Sequence, residues 1–179
     1  PESEFHLLDG RVKMITKRPV RLLSLSMLDL HNRTSLWDVG FCTGSVSVEA
    51  RLQFPHLRVT AFEIRPGCEE ILAANCRRFG TPGITPVMGD FMEADTTDLP
   101  APDAVFIGGH GGRLADMLRK IDSVMRPGGV IVFNSVIEES RQLFTDGLAA
   151  IGGRITECVR LTVDAHNAID VMKGACTLR

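Results

Sequence analysis

The sequence contains no apolar run near the ~18 residues that a membrane-spanning helix needs, and no basic stretch followed by an apolar one. Its net charge is −2, so it lacks the overall basic field that attracts nucleic acid. No internal repeat or low-complexity segment is present. We therefore expect a cytoplasmic protein with neither a membrane nor a nucleic acid as its partner.

The cysteines also lack any recognisable pattern. There are five, an odd number, with no C-x-x-C pair and no spacing typical of a metal site. They are therefore predicted to be reduced thiols, as in cytosolic proteins, and no metal site is expected. The five are Cys42, Cys68, Cys76, Cys158 and Cys176.

The composition fits one α/β domain. The chain has 179 residues, of which 44% are hydrophobic and 23% charged, enough for a substantial core. We expect a single domain over 1–179, in which 1–30 form an N-terminal segment and a helix that covers a cleft, and 31–179 form the core. Because the chain begins at Pro1, we also expect a domain cut from a longer, fused polypeptide.

Strand and helix patterns alternate from about residue 35, which predicts a parallel sheet covered on both faces. The last two strands are joined by a connection too short for a parallel crossover, so they should form an antiparallel hairpin and one antiparallel edge. Thr16 is the predicted N-cap of a first helix that runs to Leu28. The other helices are predicted at 46–54, 68–79, 114–125 and 138–151, and the strands at 36–39, 58–64, 84–88, 104–107, 130–133, 155–163 and 168–173.

The most informative stretch is Leu36-Trp37-Asp38-Val39-Gly40-Phe41-Cys42-Thr43-Gly44-Ser45, an apolar strand that breaks into a glycine turn before a helix. Backbone can approach a ligand closely where side chains are missing, so this turn predicts a nucleotide-cofactor site. The dinucleotide pattern G-x-G-x-x-G is not matched, which disfavours a pyrophosphate. The string D-x-G-x-C-x-G is similar to the first motif of class I S-adenosylmethionine methyltransferases, with Cys42 where the middle glycine normally stands.

Glu63 ends the second predicted strand, nineteen residues after Gly44. An acidic residue about 20 positions beyond such a turn is placed to accept hydrogen bonds from ribose hydroxyls. The alternative is a glutamate that merely ends a strand in solvent.

Three further segments narrow the resemblance: Thr16-Lys17-Arg18-Pro19-Val20-Arg21, Thr43-Gly44-Ser45-Val46-Ser47-Val48-Glu49-Ala50, and Phe106-Ile107-Gly108-Gly109 with its glycine-rich tail. With the strand before the turn, they make the chain resemble the decarboxylating precorrin methyltransferases of cobalamin biosynthesis over most of its length. This resemblance implies the class I fold, with a seven-stranded, mostly parallel sheet and one antiparallel strand. It also implies S-adenosyl-L-methionine as cofactor, a tetrapyrrole substrate methylated at C15 and decarboxylated, a homotetramer, and in some members fusion to a second methyltransferase domain.

The resemblance further implies roles for individual residues. Asp90 should face the adenine through its carboxylate or a neighbouring backbone group, unless it is simply a turn aspartate. The predicted cofactor-binding residues are Thr16, Asp38, Gly40, Cys42, Thr43, Gly44, Ser45, Glu63, Asp90 and Phe91.

The substrate is expected to contact the glycine-rich tail and the basic start of the first helix. Gly108, Gly109 and His110 open a segment that a flat or anionic group could approach, and His110 is also a candidate catalytic residue; the alternative is a flexible loop. Lys17, Arg18 and Arg21 could hold substrate carboxylates, or could form a solvated helix face. Asn134 is a weaker candidate in the same cleft.

No Cys/His or Ser/His pair stands out as a general base, and a nucleophilic carbon of a reduced tetrapyrrole does not require one. Two other functions stay open at this point. One is methylation of a different small molecule, and the other is a domain that binds the cofactor without turnover.

Overall fold

The computed structural model describes residues 1–11, 14–164 and 167–176. Its helices are α1 (Arg18–Met27), α2 (Ser45–Gln53), α3 (Cys68–Phe79), α4 (Leu114–Val124) and α5 (Glu138–Ala150). Its strands are β1 (Ser35–Val39), β2 (Arg58–Glu63), β3 (Ile84–Met88), β4 (Ala104–Ile107), β5 (Val130–Ser135), β6 (Arg154–Leu161) and β7 (Ile169–Ala175). None of the helices in these ranges is long and apolar enough to cross a membrane.

The seven strands form one sheet in the order β3-β2-β1-β4-β5-β7-β6. Neighbouring strands from β3 through β5 are parallel, whereas β7 runs antiparallel to both β5 and β6. The predicted hairpin and the single antiparallel strand are therefore confirmed. This hairpin forms one edge of the sheet, with β7 paired to β5 and β6 outermost.

The alternation of side chains along the strands divides the core between the two faces of the sheet. Val130 and Val132 of β5 pack with α1 and α2, whereas Ile131 and Phe133 pack with α4 and α5. Helix α3 packs on a third cluster through Cys68 and Leu72. Strands β1 and β4 are buried along their whole length, as expected for the centre of a parallel sheet.

The predicted boundaries agree with the structure to within two residues, but the N-cap residue of α1 is not the predicted one. The helix begins at Arg18, and Lys17 occupies the N-cap position without any side-chain capping bond. The predicted N-cap role of Thr16 is thus wrong. Its carbonyl oxygen instead accepts a hydrogen bond of 2.8 Å from the guanidinium of Arg21.

Candidate functional site

The glycine turn (residues 40–44) leads from the carboxyl end of β1 into α2. Gly40 and Gly44 have φ angles of 82° and 72°, where L side chains are strained. Packing also requires that neither residue has a side chain. A Cβ on Gly40 would lie 3.0 Å from the backbone nitrogen of Gly109, and one on Gly44 would lie 2.2 Å from Leu72 Cδ1.

Cys42 has a φ of 49°, so a residue with a side chain occupies a backbone conformation that favours glycine. This explains physically why the motif usually has glycine at this position. The side chain is buried in the cluster that includes Cys68 and Leu72. Burial raises the pKa of the Cys42 thiol, and the nearby carboxylate of Glu63 adds to that rise.

We expect Cys42→Gly to unfold at a higher temperature than Cys42→Ala and to keep or tighten cofactor affinity. Alanine retains the backbone strain and loses the packed sulfur, whereas glycine relieves strain of about 1 to 2 kcal/mol. Thermal unfolding of the two variants and calorimetric titration with S-adenosylhomocysteine would measure both effects. A glycine variant less stable than the alanine variant would mean that the backbone at residue 42 is unstrained.

Asp38 lies beneath the glycine turn and is completely buried. Its Oδ2 accepts hydrogen bonds from the backbone nitrogen and Oγ of Ser47, at 3.2 and 2.6 Å, while its Oδ1 is buried without a partner. Asp38 therefore ties the turn to α2 and lines neither cavity of the cleft. This position does not support the prediction that Asp38 is a cofactor-binding residue.

Burial raises the pKa of Asp38 from 3.8 to about 7, with a smaller contribution from the neighbouring charge of Glu63. A group whose pKa is raised by folding stabilises the protein at low pH and loses that contribution as the pH rises through its folded pKa. The wild-type protein should therefore lose roughly 2 to 3 kcal/mol of unfolding free energy between pH 5 and pH 8 through this group.

In Asp38→Asn, which does not titrate, that loss of unfolding free energy with rising pH should disappear. Urea unfolding at pH 5, 6, 7 and 8 would measure the difference, with the exposed Asp98 changed to asparagine as the control. Parallel pH curves for the wild type and Asp38→Asn would refute the raised pKa.

Glu63 is only 2% exposed, so it is not a strand end in solvent. Its Oε2 accepts a 2.9 Å hydrogen bond from the backbone nitrogen of Cys42, which ties the glycine turn to β2. Its Oε1 accepts hydrogen bonds of 3.0 Å from the backbone nitrogens of Ile64 and Arg65 and from the Arg65 guanidinium. These bonds fix the carboxylate in the wall of the cleft.

Two adjoining cavities open at the carboxyl ends of the parallel strands. The larger cavity has a volume of about 450 Å³ and the smaller one about 340 Å³. Both are lined by Gly40, Arg65 and Gly109, which we call the neck. Ligands of open α/β sheets bind at this edge, and each volume is in the range of small-molecule sites.

Most of the predicted site residues line one of these cavities. Those in the larger cavity are Thr16, Lys17, Gly40, Cys42, Thr43, Ser45, Gly108, Gly109 and Asn134. Those in the smaller cavity are Gly40, Glu63, Asp90, Phe91, Gly109 and His110. Asp38, Gly44, Arg18 and Arg21 line neither.

Arg21 is 1% exposed, and its guanidinium is already occupied. Its Nε and one terminal nitrogen donate to Glu49 Oε2 at 3.2 and 3.1 Å, and its guanidinium carbon lies 5.3 Å from the Phe5 ring centroid. Arg21 therefore joins α1 to α2, and its predicted contact with substrate carboxylates is wrong. Arg18 is exposed outside both cavities, which leaves Lys17 as the basic residue of this group in the cleft wall.

Asp90 follows β3, and its carboxylate is held on both sides. Oδ1 accepts a 2.9 Å hydrogen bond from the backbone nitrogen of Met92, and Oδ2 accepts one of 2.9 Å from Arg113. Arg113 also lines the smaller cavity. Its pairing with Asp90 was missed because the two residues follow different strands, and no local pattern joins them.

Lys120 of α4 holds the segment that follows Asp90. Its Nζ donates to the carbonyl oxygens of Phe91, Met92 and Ala94 at 2.7, 3.0 and 2.7 Å, and lies 5.1 Å from the Phe91 ring centroid. Burial lowers the pKa of this lysine. This contact could not be predicted from the sequence, because a lysine in an amphipathic helix normally faces solvent.

His110 is anchored by its own segment, the glycine segment (residues 108–112). Its Nδ1 accepts a 3.1 Å hydrogen bond from the backbone nitrogen of Gly112, and its Nε2 lies 3.4 Å from Ser140 Oγ. Burial lowers the pKa of the imidazole, so the neutral form with a proton on Nε2 is favoured. This geometry favours a role in shaping the segment, since the lone pair of Nδ1 is already used.

A family model described as "Precorrin methyltransferase domain" matches residues 7–177. The chain belongs to the precorrin methyltransferase family. It is 40% identical over 158 residues to the cobalt-precorrin-6B C(15)-methyltransferase (decarboxylating) of Salmonella typhimurium, covering 88% of this chain and 81% of that one.

Two other members of the precorrin methyltransferase family support this assignment. The precorrin-6Y C(5,15)-methyltransferase [decarboxylating] of a Sinorhizobium species is 34% identical over 160 residues, which cover 89% of this chain and 38% of the relative. The crystal structure of precorrin-6y C5,15-methyltransferase from Geobacter metallireducens superposes with a TM-score of 0.86 at 31% identity, covering 98% of this chain and 95% of that one. The expected class I methyltransferase fold is thus confirmed.

Proposed function

We propose that this protein transfers a methyl group from S-adenosyl-L-methionine to C15 of a precorrin and removes carbon dioxide from an acetate side chain of that substrate, as a step of cobalamin biosynthesis. The observation that carries the proposal is the pair of cavities joined at the neck, in a chain of the precorrin methyltransferase family. The smaller cavity is bordered by groups suited to a nucleoside, and the larger cavity leads from the glycine turn to the open cleft.

The donor groups fit this cofactor. In the smaller cavity the fixed carboxylate of Glu63 would accept hydrogen bonds from the ribose hydroxyls, and the segment of Asp90 and Phe91 would border the adenine. In the larger cavity the glycine turn would hold the methionine part beside Cys42 and Thr43. The bound cofactor supplies a methyl group on a sulfonium, which is electrophilic enough for direct attack by carbon.

The task of the protein is then mainly alignment. An in-line transfer needs the accepting carbon behind the methyl group and little water between them. The glycine segment offers a surface without side chains for a flat macrocycle, and Lys17 offers a charge for its carboxylates. During decarboxylation the carbon–carboxylate bond breaks, its electron pair enters the conjugated ring system, and the former acetate carbon takes up a proton.

The decisive experiment is incubation of the purified protein with the precorrin and with S-adenosylmethionine that carries an isotopically labelled methyl group. Mass spectrometry should find a product that has gained one labelled methyl group and lost one carbon dioxide. Labelled methyl transfer to an unrelated small molecule would favour a different methyltransferase. Tight S-adenosylhomocysteine binding without any product would favour a domain that only holds the cofactor.

The assembly is also part of the proposal. We propose a homotetramer of a single methyltransferase domain, in some proteins fused to a second methyltransferase domain. The long relative, of which the aligned part covers 38%, supports the idea of fusion. Light scattering of the purified chain would measure the mass of the assembly, and a monomer at working concentration would contradict the tetramer.

A further inference from the structure

Asn134 lies near the carboxyl end of β5, and its side chain spans the space between α1 and the larger cavity. It lines that cavity, and the structure places its amide oxygen Oδ1 3.1 Å from Oγ of Ser24, a fully buried residue of α1. The amide of an asparagine has one accepting and one donating end, which are assigned from the surrounding hydrogen bonds. The contact with Ser24 therefore determines which end faces the ligand.

The hydroxyl of Ser24 has a single proton. Its Oγ lies 2.8 Å from the carbonyl oxygen of Val20, one turn earlier in the helix. Two oxygens this close repel each other unless a proton lies between them, so the proton of Ser24 points to Val20. The side of Oγ that faces Asn134 therefore carries a lone pair, which would repel Oδ1. A 180° turn of the amide replaces this repulsion by a hydrogen bond from the NH₂ of Asn134 to Oγ.

We infer that the carbonyl oxygen of Asn134 faces the larger cavity and accepts a hydrogen bond from an N–H group of a ligand. Ser24 is the positioning residue that fixes this orientation. An accepting oxygen at this point repels the carboxylates of a precorrin, so the group that it binds is an N–H and not a carboxylate. The inference rests on the proposed function for the identity of the ligands.

Two sources offer an N–H donor in this cavity. One is the α-ammonium of the cofactor, whose methionine part is assigned to the same cavity, and the other is a ring N–H of the tetrapyrrole. The two can be separated, because S-adenosylhomocysteine carries the ammonium and binds without any substrate.

The test compares Asn134→Leu, which removes the acceptor, with Asn134→Asp, which keeps accepting oxygens. Calorimetric titration with S-adenosylhomocysteine reports the cofactor source, and the KM for the precorrin reports the substrate source. In one of the two measurements, the Kd or the KM of the leucine variant should rise about tenfold, the usual scale of one hydrogen bond. The same constant of the aspartate variant should stay near that of the wild type or fall.

Ser24→Ala supplies a second test, because Ser24 does not line the cavity and acts on the ligand only through Asn134. Without Oγ the amide can adopt both orientations, and equal populations would weaken the same measurement about twofold. If Asn134→Leu proves unstable in a thermal melt, Asn134→Ala replaces it.

The inference is overturned if Asn134→Asp weakens ligand binding as much as Asn134→Leu does, or more. It is also overturned if neither variant changes the affinity for S-adenosylhomocysteine or the KM for the precorrin. Should the wild type fail to convert the precorrin, the proposed function fails. The titration with S-adenosylhomocysteine then decides the inference by itself, with an unchanged affinity in Asn134→Leu counting against it.

Discussion

Gly109→Val is expected to reduce methyl transfer by more than about a hundredfold in a protein that remains folded, the loss that misplacing a reactant can cause. Gly109 lines both cavities at the neck. A Cβ at this position would meet no atom within 4 Å, and Gly109 is not among the glycines with positive φ. A valine there costs the fold little and projects into space that the ligands need.

Turnover, S-adenosylhomocysteine affinity and melting temperature of the variant would be measured together. Gly109→Ala should lose less activity than the valine variant, because its side chain is shorter. His110→Ala should lose less than about tenfold in turnover, below the range of a general acid or base. A valine variant with wild-type turnover would show that the ligands do not pass Gly109, and a thousandfold loss in His110→Ala would make His110 catalytic.

Glu63→Ala is expected to weaken the binding of S-adenosylhomocysteine by about 1.5 to 3 kcal/mol, roughly ten- to hundredfold in Kd. Two losses add in this variant. The ribose hydroxyls lose their charged acceptor, and the backbone nitrogen of Cys42 loses the bond that ties the glycine turn to β2. Isothermal titration calorimetry would measure the affinity.

The exposed Glu70 on α3 offers a matched control, since Glu70→Ala removes the same charge outside both cavities. It should bind S-adenosylhomocysteine as the wild type does. If Glu63→Ala also did so while remaining folded, Glu63 would have no part in the cofactor site.

The sequence predicted the strands and the glycine turn well because their signals are local. The fully apolar run of β4 and the helix end at Gly80, whose φ is 64°, depend only on neighbouring residues. The position of β7 between β5 and β6 depends on pairing across the sheet, which the alternation of side chains does not encode.

The failures within the site have a similar cause. Asp38 was assigned to the cofactor through the resemblance to the methyltransferase motif, and Arg21 to the substrate through its place in a basic cluster. Both are buried by packing between elements that are distant along the chain, Arg21 against Glu49 and Asp38 against Ser47. Such pairs can be identified only when the positions of the helices in three dimensions are known.

The placement of β7 also has a consequence for the order in which the protein folds during synthesis. Strand β5 is completed at Ser135, but the strand that covers its open side, β7, begins only at Ile169. Until the ribosome has released that segment, β5 presents unpaired backbone groups that can pair with another nascent chain. The interval between these two strands is therefore a stage of synthesis at which a chaperone would protect the chain.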